Sequence, residues 1–495
     1  MKTGVNSAVE KFRGGKGVVR DQIKEKEMRF FNTLGRELQE FTPIQPGKVR
    51  MYTCGPTVYN YAHIGNFRAY LFEDLLRRTL EYFGNQVTQV MNLTDVDDKT
   101  IRDSKAAGLK LQDFTRKYKD AFFDDLKTLR IEPAEHYPEA TAHIQEMQRM
   151  IDILFKKGIA YQSDDGSVYF SIDKFPEYGK LARIDREQQR AGVRINSDEY
   201  EKDSVADFAL WKAWSEPDGE VKWPSPWGDG RPGWHLECSA MSMKYLGKTF
   251  DIHTGGVDNM FPHHEDEIAQ SEAANGCKFV NYWLHCEHLT VDNKKMSKSL
   301  GNFYTLRDLL AKGYTGAEVR WALIGTHYRS KLNFSFGLLD QARSTLRKFS
   351  DFFGRLRELP AGSAGKEAAL EMAAKADKAF ADGIGNDLGI AEALAAVFTL
   401  ERNVNSALSK QEFQREAGEI ILEQFRKFNR VLGSLDVDAA GTAEEIPEEI
   451  LKLAEARTAA RKAKDFAKAD ELRNQLKAAG WIVEDKPGGF NIKKA

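Results

Sequence analysis

The sequence predicts an α/β protein: a parallel sheet interrupted by an inserted subdomain, then a bundle of long helices and a small terminal module. Three observations carry this. Apolar runs that end in turns alternate with helical stretches over residues 49–93, and the same alternation returns after Pro232. Beyond Leu338 the apolar spacing is helical, broken at Pro360-Ala361-Gly362 and again between Asp436 and Pro447.

Residues 1–27 mix Lys2, Lys11, Arg13, Lys16 and Arg20 with Glu10, Asp21, Glu25 and Glu27 and lack an apolar h-region, so a flexible extension is expected rather than a secretory signal. Val49 to Cys54 reads as a strand stopping at Gly55-Pro56, Phe67 to Phe83 as a helix stopping at Gly84-Asn85, and Gln86 to Leu93 as the next strand. The second half repeats the pattern, with helical Met241 to Leu246, a strand from Thr249 to His253, a helix from Pro262 and a strand from Tyr282 to Val291. Between the halves, roughly Asp113 to Pro226 holds a helical stretch, a hairpin around Asp164-Asp165-Gly166 and a Trp/Pro-rich segment.

At 495 residues the chain is long enough for roughly three domains, and no apolar run approaches the roughly 18 residues of a membrane span. Four cysteines are too few for a disulfide-built fold, which fits a reducing compartment. The net charge of −2 means that any nucleic-acid binding must come from local patches. One such patch crowds Arg457, Arg461, Lys464 and Lys468 into a short helical segment near the C-terminus; a solvated helix face is the alternative explanation.

Tyr59 to Asn66 joins a strand end to a helix start, where free backbone N–H groups favour an anion. His63 can donate to a phosphate oxygen, and Gly65 leaves room for a nucleotide ring. Later, Lys295 and Lys298 stand three residues apart in a polar segment with Ser297 between them. They can neutralise charge on a pyrophosphate as the α-phosphorus is attacked, unless the segment is simply a basic surface loop. No G-x-G-x-x-G follows a predicted strand, and Ser242 stands where a P-loop before Gly247-Lys248-Thr249 requires glycine.

His63-Ile64-Gly65-Asn66 followed in the second half by Lys295-Met296-Ser297-Lys298-Ser299 resembles the motif pair of the class I aminoacyl-tRNA synthetases. The resemblance implies a Rossmann-like catalytic domain over 28–337 with a connective insertion at about 113–226 and a mobile lysine loop at about 292–302. A helical tRNA-binding bundle over 338–435 and a linker with an anticodon-binding module over 436–495 would follow. It further implies that ATP, with Mg2+, meets His63, Gly65, Asn66, Lys295, Ser297 and Lys298, with His63, Asn66, Lys295 and Lys298 catalytic. Asn66 replaces the histidine that ends the family pattern; its amide donates a hydrogen bond but carries no charge.

Cys54, Cys238 and the group Pro262-His263-His264-Glu265-Asp266-Glu267 lie at strand ends and turns that an open α/β sheet gathers into one crevice. His263 and Glu267, at i and i+4, share a helix face, so two thiolates, an imidazole and a carboxylate make an acceptable zinc set; buried thiols and an acidic surface helix explain the same residues. The wording from Met51 to Tyr59, Asn92 to Lys99, Trp234 to Met241 and His253 to Glu265 resembles the cysteinyl-tRNA synthetases from about Phe30 to the C-terminus. That resemblance implies one structural and substrate-selecting Zn2+ on Cys54, Cys238, His263 and Glu267. It also implies a cysteine pocket of Gly55, Thr94, Trp234, His253 and Asp258, with tRNA(Cys), L-cysteine and ATP as partners of a cytoplasmic monomer. Members of that family have also been linked to persulfide formation with pyridoxal phosphate on nearby lysines; here Arg102 takes the second lysine's place after Lys99. Two rivals remain: a cysteine ligase acting on an amino-sugar, disfavoured by the long region after Leu338, and a non-catalytic zinc-containing RNA-binding relative, disfavoured by His63, Lys295 and Lys298.

Overall fold

The computed structural model describes residues 27–184, 207–439, 447–486 and 489–494. The extension expected over 1–27 lies outside them except for Glu27, as do residues 185–206 of the insertion and 440–446 of the expected linker. The described residues form two compact units that divide after Val437.

At the centre of the first unit is a four-stranded sheet in the order Val280–Cys286, Phe250–Gly256, Lys48–Thr53, Gln86–Met91, with every pairing parallel. The chain runs outward from Lys48–Thr53 to Gln86–Met91, then returns on the opposite side of the first strand. Cys54 therefore leaves the sheet at the point where the strand order reverses, which is where an open α/β sheet opens a crevice. Between the first two strands, the helix Ile64–Tyr82 buries Ile64, Phe67, Leu71, Leu75 and Leu80 and ends ahead of Gly84, whose φ is +86°. It starts three residues before Phe67 because His63 and Asn66 form a capping box: Asn66 N–H donates to His63 Nδ1 (3.2 Å), and His63 N–H donates to Asn66 Oδ1 (3.0 Å).

The second half opens with the helix Trp234–Leu246, longer than the expected Met241 to Leu246, and continues with Phe250–Gly256, the helix Glu265–Asn275 and Val280–Cys286. The Glu265–Asn275 helix begins after Pro262 rather than on it, because Phe261 is extended and a π-helical turn, Met260–His264, leads in.

The inserted segment carries the Asp164–Gly166 hairpin between Ala160–Gln162 and Val168–Phe170, and Phe208–Ala213 and Gly230–Pro232 extend it into an antiparallel sheet. Its apolar cluster, with Met147, Ile151, Phe170 and Trp211, also takes in Leu236 and Ala269 from the helices that bear the candidate donors. Four long helices, Phe336–Arg357, Lys366–Ile384, Ile390–Ser409 and Arg415–Leu432, complete this unit and share the main core with the sheet.

The second unit pairs the helices Glu448–Lys462 and Phe466–Ala478 with the hairpin Trp481–Lys486 and Gly489–Lys494, around Ile450, Ala454, Leu476 and Trp481. No helix among the described residues is long and apolar enough to cross a membrane.

Candidate active site

Four donors from three parts of the chain meet beyond the end of Lys48–Thr53. One ligand atom from each of Cys54, Cys238, His263 and Glu267 lies within 4.8 Å of the others. Cys54 comes from the strand end, Cys238 from the middle of Trp234–Leu246, and His263 and Glu267 from successive turns around the start of Glu265–Asn275. Gly55 sets the first position: a Cβ there would stand 1.8 Å from the Asn92 carbonyl oxygen, so only glycine allows the strands to approach this closely.

Neighbours orient these donors. His235 Nε2 lies 3.3 Å from Asp266 Oδ2, and its Nδ1 lies 2.8 Å from His263 Nδ1, while Tyr178 O–H donates to Asp266 Oδ1 at 2.5 Å. Burial raises the Asp266 carboxyl well above its usual range, and the facing Nδ1 atoms of His235 and His263 share one proton, so His263 Nε2 is the ring nitrogen that faces the other donors. Glu267 Oε1 lies 3.1 Å from that nitrogen, is buried, and receives no hydrogen bond; Glu267 Oε2 faces His253 Nε2 at 3.0 Å. Behind Cys54, Thr33 Oγ1, His285 and His264 form a chain of 2.8 Å contacts that ends with His264 Nε2 3.3 Å from the Cys54 sulfur.

The hydrogen bond to Cys238, then burial, raises the Cys54 thiol well above its usual pKa, and burial raises Cys238 and Glu267. Crowding three acidic groups in a dry site is unfavourable unless a cation compensates them. The orphaned Glu267 oxygen, the inward-facing His263 Nε2 and two adjacent sulfurs therefore fit a divalent, thiophilic ion.

The five residues expected around the substrate divide by environment. Trp234 is 40% exposed and stacks on His263 with ring centroids 4.2 Å apart, forming an open wall beside the donors. Thr94 is buried, with its hydroxyl donated to Glu237 at 2.8 Å, and His253 is fully buried against Glu267. Asp258 is exposed in the turn after Gly256, where its charge acts on His63. Asp95, Asp97 and Asp98 are occupied by Thr141, a helix cap, and Arg231 with Lys212 respectively.

The phosphate elements come together on the same rim. The lysine loop leaves a tight hairpin whose turn residues, Asp292 and Asn293, have φ of 48° and 63°, and it returns through a bridge from Thr305 to His63. Asn302 braces it by accepting from Ser297 N–H (2.8 Å) and donating to the Lys295 carbonyl (3.1 Å). Met296 packs over Gly65, where a Cβ would sit 3.3 Å from its methyl and 3.0 Å from the His63 ring. Lys295 and Lys298 are exposed, with the Lys298 ammonium 5.3 Å from the Phe303 ring that meets His63 edge-on. Burial, reinforced by Lys298, lowers the His63 pKa to about 4; His63 is neutral near pH 7, with Nδ1 accepting in the cap and Nε2–H free to donate.

The family model for the class I (C) tRNA synthetase catalytic domain matches residues 40–344, and that for the cysteinyl-tRNA ligase anticodon-binding domain matches 443–491. The chain belongs to the class I cysteinyl-tRNA synthetase family. It is 50% identical over 475 residues to a cysteine–tRNA ligase of Protochlamydia amoebophila, covering 95% of this chain and 99% of that one. It is 51% identical over 476 residues to one of Brachyspira hyodysenteriae, covering 95% and 100%. Among solved structures, Mycobacterium tuberculosis methionyl-tRNA synthetase with methionyl-adenylate superposes with a TM-score of 0.60 at 15% identity, covering 78% of this chain and 92% of that one. That match shares the class I fold.

In the unit that holds the anticodon-binding match, Arg457 is buried, whereas Arg461, Lys464 and Lys468 are exposed and Lys468 pairs with Glu471 at 2.8 Å. Sequence reasoning did not identify His235, Asp266 and Tyr178 as orienting groups, nor Glu237 beside Thr94. His235 does adjoin Trp234 in the same motif, but no spacing rule joins it to a partner 28 residues away.

Proposed function

We propose that this protein activates L-cysteine with ATP and transfers the cysteinyl group to the 3′ end of tRNA(Cys), acting as a cytoplasmic monomer. The reading rests on one convergence: the His63 turn, which the lysine loop meets at Thr305, follows the strand end that carries Cys54 of the donor cluster, and the charge of Asp258, five residues before His263, acts on His63. Those four residues would hold a zinc ion, which when bound supplies a position that prefers a thiolate to a hydroxyl.

A cysteine carboxylate oxygen attacks the α-phosphorus of ATP and pyrophosphate leaves. His63 Nε2–H donates to a phosphate oxygen, while Lys295 and Lys298 neutralise the departing charge. Asn66 acts through the cap, fixing the imidazole by its bond to the His63 amide. Gly65 and Ser297 keep the floor and loop close to the nucleotide. Gly55, Thr94, Trp234, His253 and Asp258 surround the amino acid, with Trp234 as the open wall and His253 holding Glu267. A ribose hydroxyl of the tRNA 3′ end then attacks the acyl carbon, AMP leaves and a proton is released. Arg461, Lys464 and Lys468, on two successive helices and the turn between them, would face phosphates of the anticodon arm, and Arg457 is buried in the first of those helices.

The test is cysteine-dependent ATP–pyrophosphate exchange followed by acylation of a tRNA(Cys) transcript. Both should proceed. Absence of exchange would refute cysteine activation, and exchange without acylation, with an amino-sugar accepted instead, would refute the tRNA reading.

A further inference from the structure

The rim carries a second feature that adenylate formation does not use. Tyr61, two residues before His63, meets three side chains from two other helices. The Tyr118 ring lies edge-on at 5.3 Å, the Lys117 ammonium is 5.6 Å from the Tyr61 centroid, and the Arg307 guanidinium is 4.7 Å from it. Lys117 also lies 5.3 Å from the Tyr118 ring. Tyr61 and Tyr118 are half-buried and Lys117 is exposed. Asp125 locks Arg307 with two 2.7 Å bonds, so the guanidinium is a fixed plane rather than a free charge. Among the described residues, neither Lys117 nor Lys99, which lies 5.8 Å from the Tyr59 ring, has an ion-pair partner. Arg307 lies in the helix that Thr305 caps, and Thr305 bridges to His63, so the cluster is tied to the turn that holds His63.

Aromatic faces interleaved with unpaired ammonium groups are the surface that single-stranded nucleic acid recognises, through base stacking and phosphate contact. We propose that Tyr61, Tyr118 and Lys117 form the binding platform for the unpaired 3′ nucleotides of the tRNA, stacking a base and holding a phosphate so that the terminal ribose reaches the acyl group. This rests on the function proposed above. The adenine of ATP is the competing occupant, and a different assay reports it.

The experiment measures Kd for a tRNA(Cys) transcript and for the same transcript lacking its last three nucleotides, on the wild type and on Lys117→Ala and Tyr118→Leu. Each substitution should weaken the full transcript about tenfold and leave the trimmed one unchanged, with cysteine-dependent pyrophosphate exchange at wild-type rate and ATP KM. Lys117→Ala, a surface change, keeps the test valid if Tyr118→Leu unfolds. Equal weakening of both transcripts, no weakening of either, or a raised ATP KM would each overturn the proposal. Loss of exchange in the wild type would instead overturn the function on which it rests.

Discussion

Gly55→Ala perturbs the site through backbone geometry alone. The new Cβ would fall 1.8 Å from the Asn92 carbonyl oxygen and 3.0 Å from Met91 Cγ, and the oxygen belongs to a backbone that cannot swing aside. Reaching even a tight 3.0 Å contact requires the segment to move by about 1.2 Å. Cys54 is the preceding residue, so its sulfur moves with it, whereas ligand distances in a metal site tolerate only about 0.2 Å. We expect zinc affinity, read by competition with a chromophoric chelator, to fall at least tenfold, with cysteine KM rising in parallel. The fold should survive, since Gly55 lies at the sheet's end rather than in its core, and thermal denaturation of the metal-free protein checks this. A Gly55→Ala protein that keeps wild-type zinc affinity and cysteine KM would refute the close approach and the ligand role of Cys54 together.

Three further outcomes follow. His235→Ala removes the 2.8 Å partner that orients the His263 ring, so zinc affinity should fall about 10–100-fold while ATP KM is unchanged; wild-type affinity would contradict the orienting role. Because His63 has a pKa of about 4, it is neutral throughout pH 5.5–8, and the pyrophosphate-exchange profile should show no limb near 6.5 that disappears on His63→Asn. Asp74 Oδ2 forms a buried ion pair with Arg320 Nη2 at 2.5 Å; burial alone would raise its pKa, but Arg320 and Arg78 hold it below the usual value. Stability from this pair is present above the unfolded carboxyl pKa of about 3.9 and is lost as pH falls through the folded value. Asp74→Asn should therefore cost about 3–5 kcal/mol near neutral pH in urea denaturation and flatten the acid limb.

The alternation of strands and helices was legible because apolar spacing reports it directly. Boundaries failed where side chains set them: the helix after the first strand starts at Ile64 because an imidazole and an amide cap each other, a pairing outside the usual Ser, Thr or Asp signature. The proximity of Cys54, Cys238, His263 and Glu267 could be anticipated, since Cys54 ends a strand, His263 and Glu267 flank a helix start, and Cys238 lies on the helix leading into the neighbouring strand, all beside the crevice of a parallel sheet. The layer behind them could not. His235 reaches Asp266, and Thr33 reaches His285 across 252 residues, through packing that no local pattern encodes. Arg457 shows the same limit in reverse: it reads as part of a basic face, yet its helix turns it into the terminal module's core.

The central claim is that cysteine is chosen by its thiol at the Cys54, Cys238, His263 and Glu267 cluster. The most direct test is the ratio of kcat/KM for cysteine over serine in pyrophosphate exchange, measured with zinc and again after its removal and reconstitution. The account predicts a ratio of about 10^4 or more with zinc, collapse without it, and recovery on reconstitution. A ratio within the roughly 10–200-fold of an ordinary apolar pocket, or one unchanged by zinc removal, would contradict it.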